Sequence, residues 1–169
     1  MKQIAFINPE NVTEAEAAGY KIRNAARAIV FDDNGLVALL RATETHYYKL
    51  PGGGMENGED EETALKRECK EEIGCDTKII EALGSTLEYR KKYGLKQMSY
   101  CFFAGVVGKK GVSHLEQDEI NEGFETVWLP LADALKKVRE SKPTVYEGLF
   151  MVPRDTALLE AAIKEKQIK

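Results

Sequence analysis

Residues 50–60 read Leu50-Pro51-Gly52-Gly53-Gly54-Met55-Glu56-Asn57-Gly58-Glu59-Asp60, and residues 61–75 continue Glu61-Glu62-Thr63-Ala64-Leu65-Lys66-Arg67-Glu68-Cys69-Lys70-Glu71-Glu72-Ile73-Gly74-Cys75. The first part is too rich in Gly, Pro and Asn for a regular element and reads as a loop. From Asp60 to Ile73 there are good helix formers, acids in the first turn and Gly74 as a C-terminal stop, which predicts a helix. Glu68, Glu71 and Glu72 stand at i, i+3 and i+4 on it, so their side chains project from one face. Like charges at that spacing destabilise a bare helix by roughly 0.2–0.5 kcal/mol per pair, so stability alone would not select them. At about 100° per residue, Glu72 falls roughly 20° from Leu65 and close to Cys69 and Ile73, the stripe that should face the core. A carboxylate there requires a compensating positive charge, and with two more acids beside it a divalent cation is the simplest source. Hard oxygen ligands suit Mg²⁺ or Mn²⁺. Upstream, Gly52, Gly53 and Gly54 let backbone approach a ligand or metal without Cβ obstruction. No Gly-Lys-Ser/Thr follows them, so the loop is not a Walker-type phosphate loop.

Outward from this stretch, residues 22–31 and 36–41 are β-like runs flanking Asp32-Asp33-Asn34-Gly35, a hairpin signal that makes the first strand pair antiparallel. Residues 42–58 read as loop. Residues 77–83, 85–93 and 95–107 read as strands with Gly84 and Gly94 as turn points, and the apolar run at 100–107 is expected to be central. Residues 108–123 form a polar, acidic connection and 125–130 a short strand. Residues 131–140 are helical, as are 157–166 after Pro153. Strands mixed with helices, without repeats or low-complexity tracts, predict an α/β fold: a mixed β-sheet sandwiched between α-helices, an α/β/α arrangement.

The 169 residues and 43% hydrophobic content suit one domain spanning residues 1–169 with an ordinary core. The 28 acidic and 24 basic residues leave a net charge of −4, which argues against a duplex nucleic acid partner, since a phosphate-binding surface would show a basic stripe. No stretch approaches the ~20 apolar residues of a membrane span, nor does residue 1 onward resemble a signal peptide, so a soluble, cytoplasmic protein is expected. Cys69, Cys75 and Cys101 form no CxxC pair and read as small buried hydrophobes. With only His46 and His114, no Ser-His-Asp or Cys-His nucleophile is supported.

Read from Gly53, the chain shows Gly, five residues, Glu59, seven residues, then Arg67-Glu68-Cys69-Lys70-Glu71-Glu72-Ile73-Gly74-Cys75. This resembles the box of the Nudix (MutT-like) hydrolase family over residues 53–75, with cysteine at the two aliphatic positions as the only departure. The resemblance implies a Nudix fold and a metal-dependent pyrophosphohydrolase. It implies Glu68, Glu71 and Glu72 as ligands of Mg²⁺ or Mn²⁺, the Gly52 carbonyl as a further ligand, and Glu68 as a base. It also implies Arg67 and Glu59 as a supporting pair that orients the helix. Many members add a carboxylate from a loop before a short strand bearing a tryptophan. Among Glu116, Asp118, Glu119, Glu122 and Glu125, Glu122 lies six residues before Trp128 and is the first choice, Glu119 the second.

The expected substrate contacts are Gly53, Gly54, Tyr48 and Arg41. Of His46, Tyr47 and Tyr48, one could stack on a base, although tyrosines at a strand end more often pack. The implied substrate is a small nucleoside diphosphate linked to another group, led by a nucleoside triphosphate, including an oxidised one. ADP-ribose and, given Tyr93, a dinucleoside polyphosphate are alternatives, although the proline expected of ADP-ribose hydrolases downstream of the box is not apparent. A non-catalytic nucleotide sensor and an isomerase of organic diphosphates are competing classes. Residues 1–20 and 141–153 lie outside the family core, where they could cover the pocket or build a homodimer contact.

Overall fold

The computed structural model describes residues 1–168. In chain order it forms β1 (Gln3–Ile7), α1 (Glu14–Ala17), β2 (Lys21–Phe31), β3 (Val37–Ala42), β4 (Tyr47–Lys49), α2 (Glu61–Ile73), β5 (Asp76–Arg90), β6 (Leu95–Val107), α3 (Gln117–Asn121), β7 (Phe124–Leu129), α4 (Leu131–Arg139) and α5 (Gly148–Ile168). The strands lie in the order β1-β5-β6-β2-β3-β4, with β7 paired to β3. The sheet is mixed: β2 runs parallel to β6 and β1 to β5, while β5–β6 and β3–β7 are antiparallel.

Side-chain alternation decides which residues meet which helix. Ala26, Ala28 and Val30 of β2 and Ala38, Leu40 and Ala42 of β3 pack with Ala64, Leu65, Cys69 and Ile73 of α2. Ile29, Val37 and Leu39 point the other way, onto Ala134, Leu135 and Val138 of α4 and Leu158, Leu159 and Ala162 of α5. The sheet is therefore covered on both faces, the α/β/α arrangement expected. The apolar run 100–107 falls in β6, between β5 and β2, and the three cysteines are buried and free.

One irregularity builds the site. The hairpin partners β2 and β3 are antiparallel as expected, but their recorded register is confined to Phe31 opposite Val37, after which they diverge. The glycine run takes the vacated edge of β2. Ala28 N–H donates to Pro51 O at 3.1 Å, Ala26 N–H to Gly53 O at 3.0 Å and Met55 N–H to Asn24 O at 2.9 Å. Gly52 has φ of 123°, and a Cβ there would stand 2.9 Å from Arg27 Cα, so only glycine fits against the strand.

Several boundaries differ from the sequence reading. Gly84 is not a turn: β5 runs unbroken from Asp76 to Arg90, with register shifts at Ile79/Glu81 and Ala82/Gly84. A Cβ at Gly84 would stand 2.8 Å from Lys2 O, so this glycine admits β1 alongside β5. Gly94 is a turn, in the left-handed region after a 3-10 turn at Lys91–Tyr93. The 42–58 segment holds the short β4, and 108–123 holds α3. Helix α5 begins at Gly148 and passes through Pro153 instead of starting after it. Residues 1–20 supply the edge strand β1 and α1, whose Ala17 packs with Val12 and Tyr89.

Candidate active site

Helix α2 begins where Asp60 accepts a hydrogen bond from Thr63 N–H and ends at left-handed Gly74, whose N–H donates to Cys69 O. That fixes which turn of the helix faces the glycine loop. A cavity of about 200 Å³ opens there, lined by Gly52, Gly53, Gly54, Glu68, Glu71, Glu72, Arg23, Arg27, Lys49, Glu116 and Glu119. Gly53 and Gly54 border it closely: a Cβ on Gly53 would overlap the Glu68 carboxylate, and one on Gly54 would stand 2.5 Å from Arg23 Nη2.

Glu72 is only 2% exposed. The positive charge its position demands is Lys49, whose Nζ donates to Oε1 at 2.6 Å, while Gly52 N–H donates to Oε2 at 2.6 Å. Burial still pushes its carboxyl above the usual range, with Lys49 and Gly52 working against that shift. Glu68 is raised for the same first reason, burial, and then by the neighbouring Glu72 charge; Arg67 opposes both.

Arg67 ties loop to helix. Its Nε and Nη2 donate to the two Glu59 oxygens at 2.9 and 3.0 Å, a bidentate fork, and Nη2 also donates to Gly54 O at 3.0 Å. Its Nη1 reaches Glu68 Oε1 at 2.9 Å and Glu71 Oε2 at 3.1 Å. The fork, with help from Glu56 N–H, holds Glu59 well below the usual carboxylate range, at about 2.

The sequence-derived residues divide. Gly52, Gly53, Gly54, Glu68, Glu71 and Glu72 share the cavity, with the Glu59–Arg67 pair behind them. Glu122 does not: its Oε2 accepts from Tyr47 Oη at 2.7 Å and Thr45 Oγ1 at 3.0 Å, so it braces the β3–β4 connection. Glu116 and Glu119 line the cavity in its place. They arrive there because the acidic segment is fastened to the end of α2, with Gly111 N–H on Gly74 O at 2.9 Å and His114 N–H on Glu71 O at 2.6 Å. Glu116 and Glu119 are then locked by a reciprocal capping box at the start of α3.

Arg41 and Tyr48 are also displaced from the carboxylates. They face each other across β3 and β4, on the side of the sheet opposite Leu40 and Tyr47, and line a separate cleft of about 480 Å³ with His46 and Lys137. Strand alternation alone explains this, because Tyr47 and Lys49 point toward α2 and Tyr48 cannot. Sequence reasoning missed Lys49, Arg23 and Arg27. The available signal was charge inside strands that otherwise bury their side chains.

A NUDIX domain model matches residues 21–149. The chain belongs to the Nudix family. The glycine loop, Glu59, Arg67 and the α2 carboxylates lie within the matched residues. Among curated relatives, it is 35% identical over 78 residues to an RNA pyrophosphohydrolase of Marinomonas sp., covering 44% of this chain and 47% of the relative. It is 32% identical over 111 residues to an RNA pyrophosphohydrolase of Acidiphilium cryptum, covering 63% of this chain and 60% of the relative. The chain therefore matches only part of the length of each. The NUDIX hydrolase from Nitrosomonas europaea superposes with a TM-score of 0.65 at 18% identity, over 86% of this chain and 91% of that one. No helix among the described residues is long and apolar enough to cross a membrane.

Nudix hydrolases generally use divalent metals, and the oxygens around this cavity are donors of the hard kind such ions take. Glu68 and Glu71 each give one oxygen to Arg67 and keep the other free of hydrogen bonds among the described residues. The carbonyls of Pro51, Gly53 and Gly54 are all engaged, and Gly52 O accepts no hydrogen bond among the described residues. Among the described residues no three acidic, His or Cys side chains converge tightly enough to form an ion cage, and Glu72 is paired with Lys49. Hard oxygens in a surplus of negative charge suit a hard dication.

Proposed function

We infer that this chain is a pyrophosphohydrolase that cleaves a nucleoside diphosphate linked to another group, using Mg²⁺ or Mn²⁺. The observation that carries this is one small cavity with an acidic wall on α2 and a basic wall on β2 and β4, joined by a glycine loop. Glu68 and Glu71, with the Gly52 carbonyl, would hold the metal, and Glu72 would join them on release from Lys49. When bound, the ion supplies charge that polarises a phosphoryl oxygen and lowers the pKa of water. Glu68, whose second carboxylate oxygen is left free by Arg67, would accept the proton as water attacks phosphorus. The bridging P–O bond breaks, and the phosphate-bearing group departs with the electron pair. Arg67 and Glu59 hold the helix and loop in one geometry throughout.

A cavity of about 200 Å³ is smaller than the ~300–1,000 Å³ typical of whole-ligand pockets, so it suits the diphosphate and ion, not the base. The leading substrate is a nucleoside triphosphate, including oxidised forms. The names of the two curated relatives, both RNA pyrophosphohydrolases, support an RNA substrate as a second reading. ADP-ribose and dinucleoside polyphosphates complete the panel. The test is product analysis with Mg²⁺ across these four classes. A preference of tenfold or more in kcat/KM for nucleoside triphosphates supports the leading reading, and preference for the RNA end replaces it. Nucleotide binding without turnover of any member converts the reading to a sensor.

A further inference from the structure

Leu50 stands between the two groups that hold Glu72. Just before it, Lys49 Nζ donates to Glu72 Oε1 at 2.6 Å, and just beyond Pro51, Gly52 N–H donates to Oε2 at 2.6 Å. Leu50 itself is fully buried past the end of β4, and its side chain packs with Leu158 and Leu159 of α5, on the face of the sheet away from α2. A buried N–H beyond the last strand residue needs an acceptor. That acceptor is a side chain: Asp155 Oδ2, on α5, takes the Leu50 N–H at 2.9 Å. The entrance to the glycine loop is thus held from both layers, by Glu72 of α2 and by Asp155 of α5.

Neighbouring charges fix the direction of Asp155. Arg154 Nε and Nη2 donate to its two oxygens at 2.7 and 3.1 Å, and Arg154 Nη1 reaches Glu88 Oε1 at 3.4 Å. Glu88 Oε2 in turn accepts from Arg90 Nε and Nη2 at 2.8 and 2.5 Å, and Arg90 lies over the Phe150 ring of α5 at 5.1 Å. Alternating charges therefore run from β5 to α5 and end on Leu50, with Glu88, Arg154 and Asp155 fully buried. Apolar residues of similar volume often serve stability as well as a buried ion pair, or better. What these charges supply, and apolar residues do not, is one fixed acceptor at Leu50, made stronger by being ionised.

Both Arg154 and Asp155 lie beyond residues 21–149, the part that the NUDIX domain model matches. We propose that Asp155 is a positioning residue for hydrolysis: from α5 it fixes Leu50, and through Leu50 the placement of Lys49 and Gly52 around Glu72. The role in hydrolysis rests on the pyrophosphohydrolase reading, whereas the tether itself does not. A misplacement of about 1 Å costs on the order of 100-fold in rate, so slack in this tether is felt first in turnover.

The test compares two double variants of the intact chain. Arg154→Met with Asp155→Asn removes both charges but keeps an oxygen for the Leu50 N–H. Arg154→Met with Asp155→Leu removes the charges and the oxygen together. Melting temperatures, hydrogen exchange over residues 50–54, and turnover with Mg²⁺ of whichever panel substrate wild type hydrolyses are measured on each, well below melting. The asparagine variant should keep kcat within about threefold of wild type, and the leucine variant should lose about tenfold or more in kcat with KM within about twofold. Residues 50–54 should exchange faster in the leucine variant than in the asparagine variant. Equal kcat in the two variants overturns the proposal, whether both match wild type or both fall, and so does equal exchange over residues 50–54. A lower melting temperature in the leucine variant with kcat unchanged also overturns it, since Asp155 is then only structural. If the leucine variant does not fold, Asp155→Glu, which keeps the charge and moves the acceptor by a methylene, takes its place: wild-type kcat overturns the proposal, and a tenfold loss with unchanged KM supports it. Wild type that turns over no substrate class sinks the hydrolase reading, and exchange over residues 50–54 then decides the tether alone. Turnover by wild type with equal rates in the two variants sinks only the positioning role.

Discussion

Replacing Gly53 by alanine separates the geometry of the site from the stability of the fold. Gly53 is not among the glycines with positive φ, so alanine meets no backbone strain there. Its added Cβ would overlap the Glu68 carboxylate, the far end of a flexible side chain. To reach ordinary contact at about 3.5 Å, that carboxylate must withdraw by roughly 1 Å. A displacement of this size at a reacting centre costs on the order of 100-fold, about 2.7 kcal/mol of barrier. Stability should change little, because Gly→Ala at a compatible position gains about 0.4–1 kcal/mol from the unfolded chain. The comparator is Gly52→Ala, whose Cβ would press on the Ala26 and Arg27 backbone at a φ of 123°, and which should lose stability as well as activity. Initial rates against substrate concentration, with urea unfolding of both variants, provide the assay. A Gly53→Ala protein that folds normally and keeps kcat/KM within threefold of wild type refutes the placement of Glu68 at the reacting centre.

Two further expectations concern the charges around the site. Lys49→Met leaves Glu72 buried with Gly52 N–H as its remaining partner, and breaking one side of a buried pair costs about 3–5 kcal/mol; a loss under about 1 kcal/mol in urea unfolding would contradict the pairing. Glu59 has a depressed pKa in the folded state, so its contribution is complete above the unfolded value of about 4.3 and disappears as pH falls toward 2. The gap in melting temperature between wild type and Glu59→Gln should therefore be constant near neutrality and close through that window. A gap that widens on acidification would show that the Arg67 fork is not its source.

How much could be read from residues alone follows the range of the interactions involved. Helix α2 was legible to within a residue because Asp60 and Gly74 cap it locally, and the three glutamates share a face by spacing alone. The two-sided sheet followed from apolar runs of the right lengths. Gly84 misled because its reason is β1, a strand some eighty residues away that pairs in parallel with β5. Pro153 misled because burial of Phe150, Leu158 and Leu159 outweighs one missing helix hydrogen bond. Glu122 was favoured by its distance from Trp128, but α3 and two backbone tethers to α2 bring Glu116 and Glu119 to the cavity. Arg27 and Lys49 stand out only as charges inside strands that otherwise bury their side chains, and which acids they meet is set by α2, later in the chain.

Breaking a phosphoanhydride bond with the α2 carboxylates and a divalent ion requires both partners at once. Product release from a nucleoside triphosphate should be measured for wild type and Glu68→Gln, each with Mg²⁺ and with excess EDTA. Wild type should turn over with Mg²⁺ and not with EDTA, and Glu68→Gln should lose at least 100-fold with Mg²⁺ present. Turnover that survives EDTA, or a Glu68→Gln protein as active as wild type, would contradict that requirement.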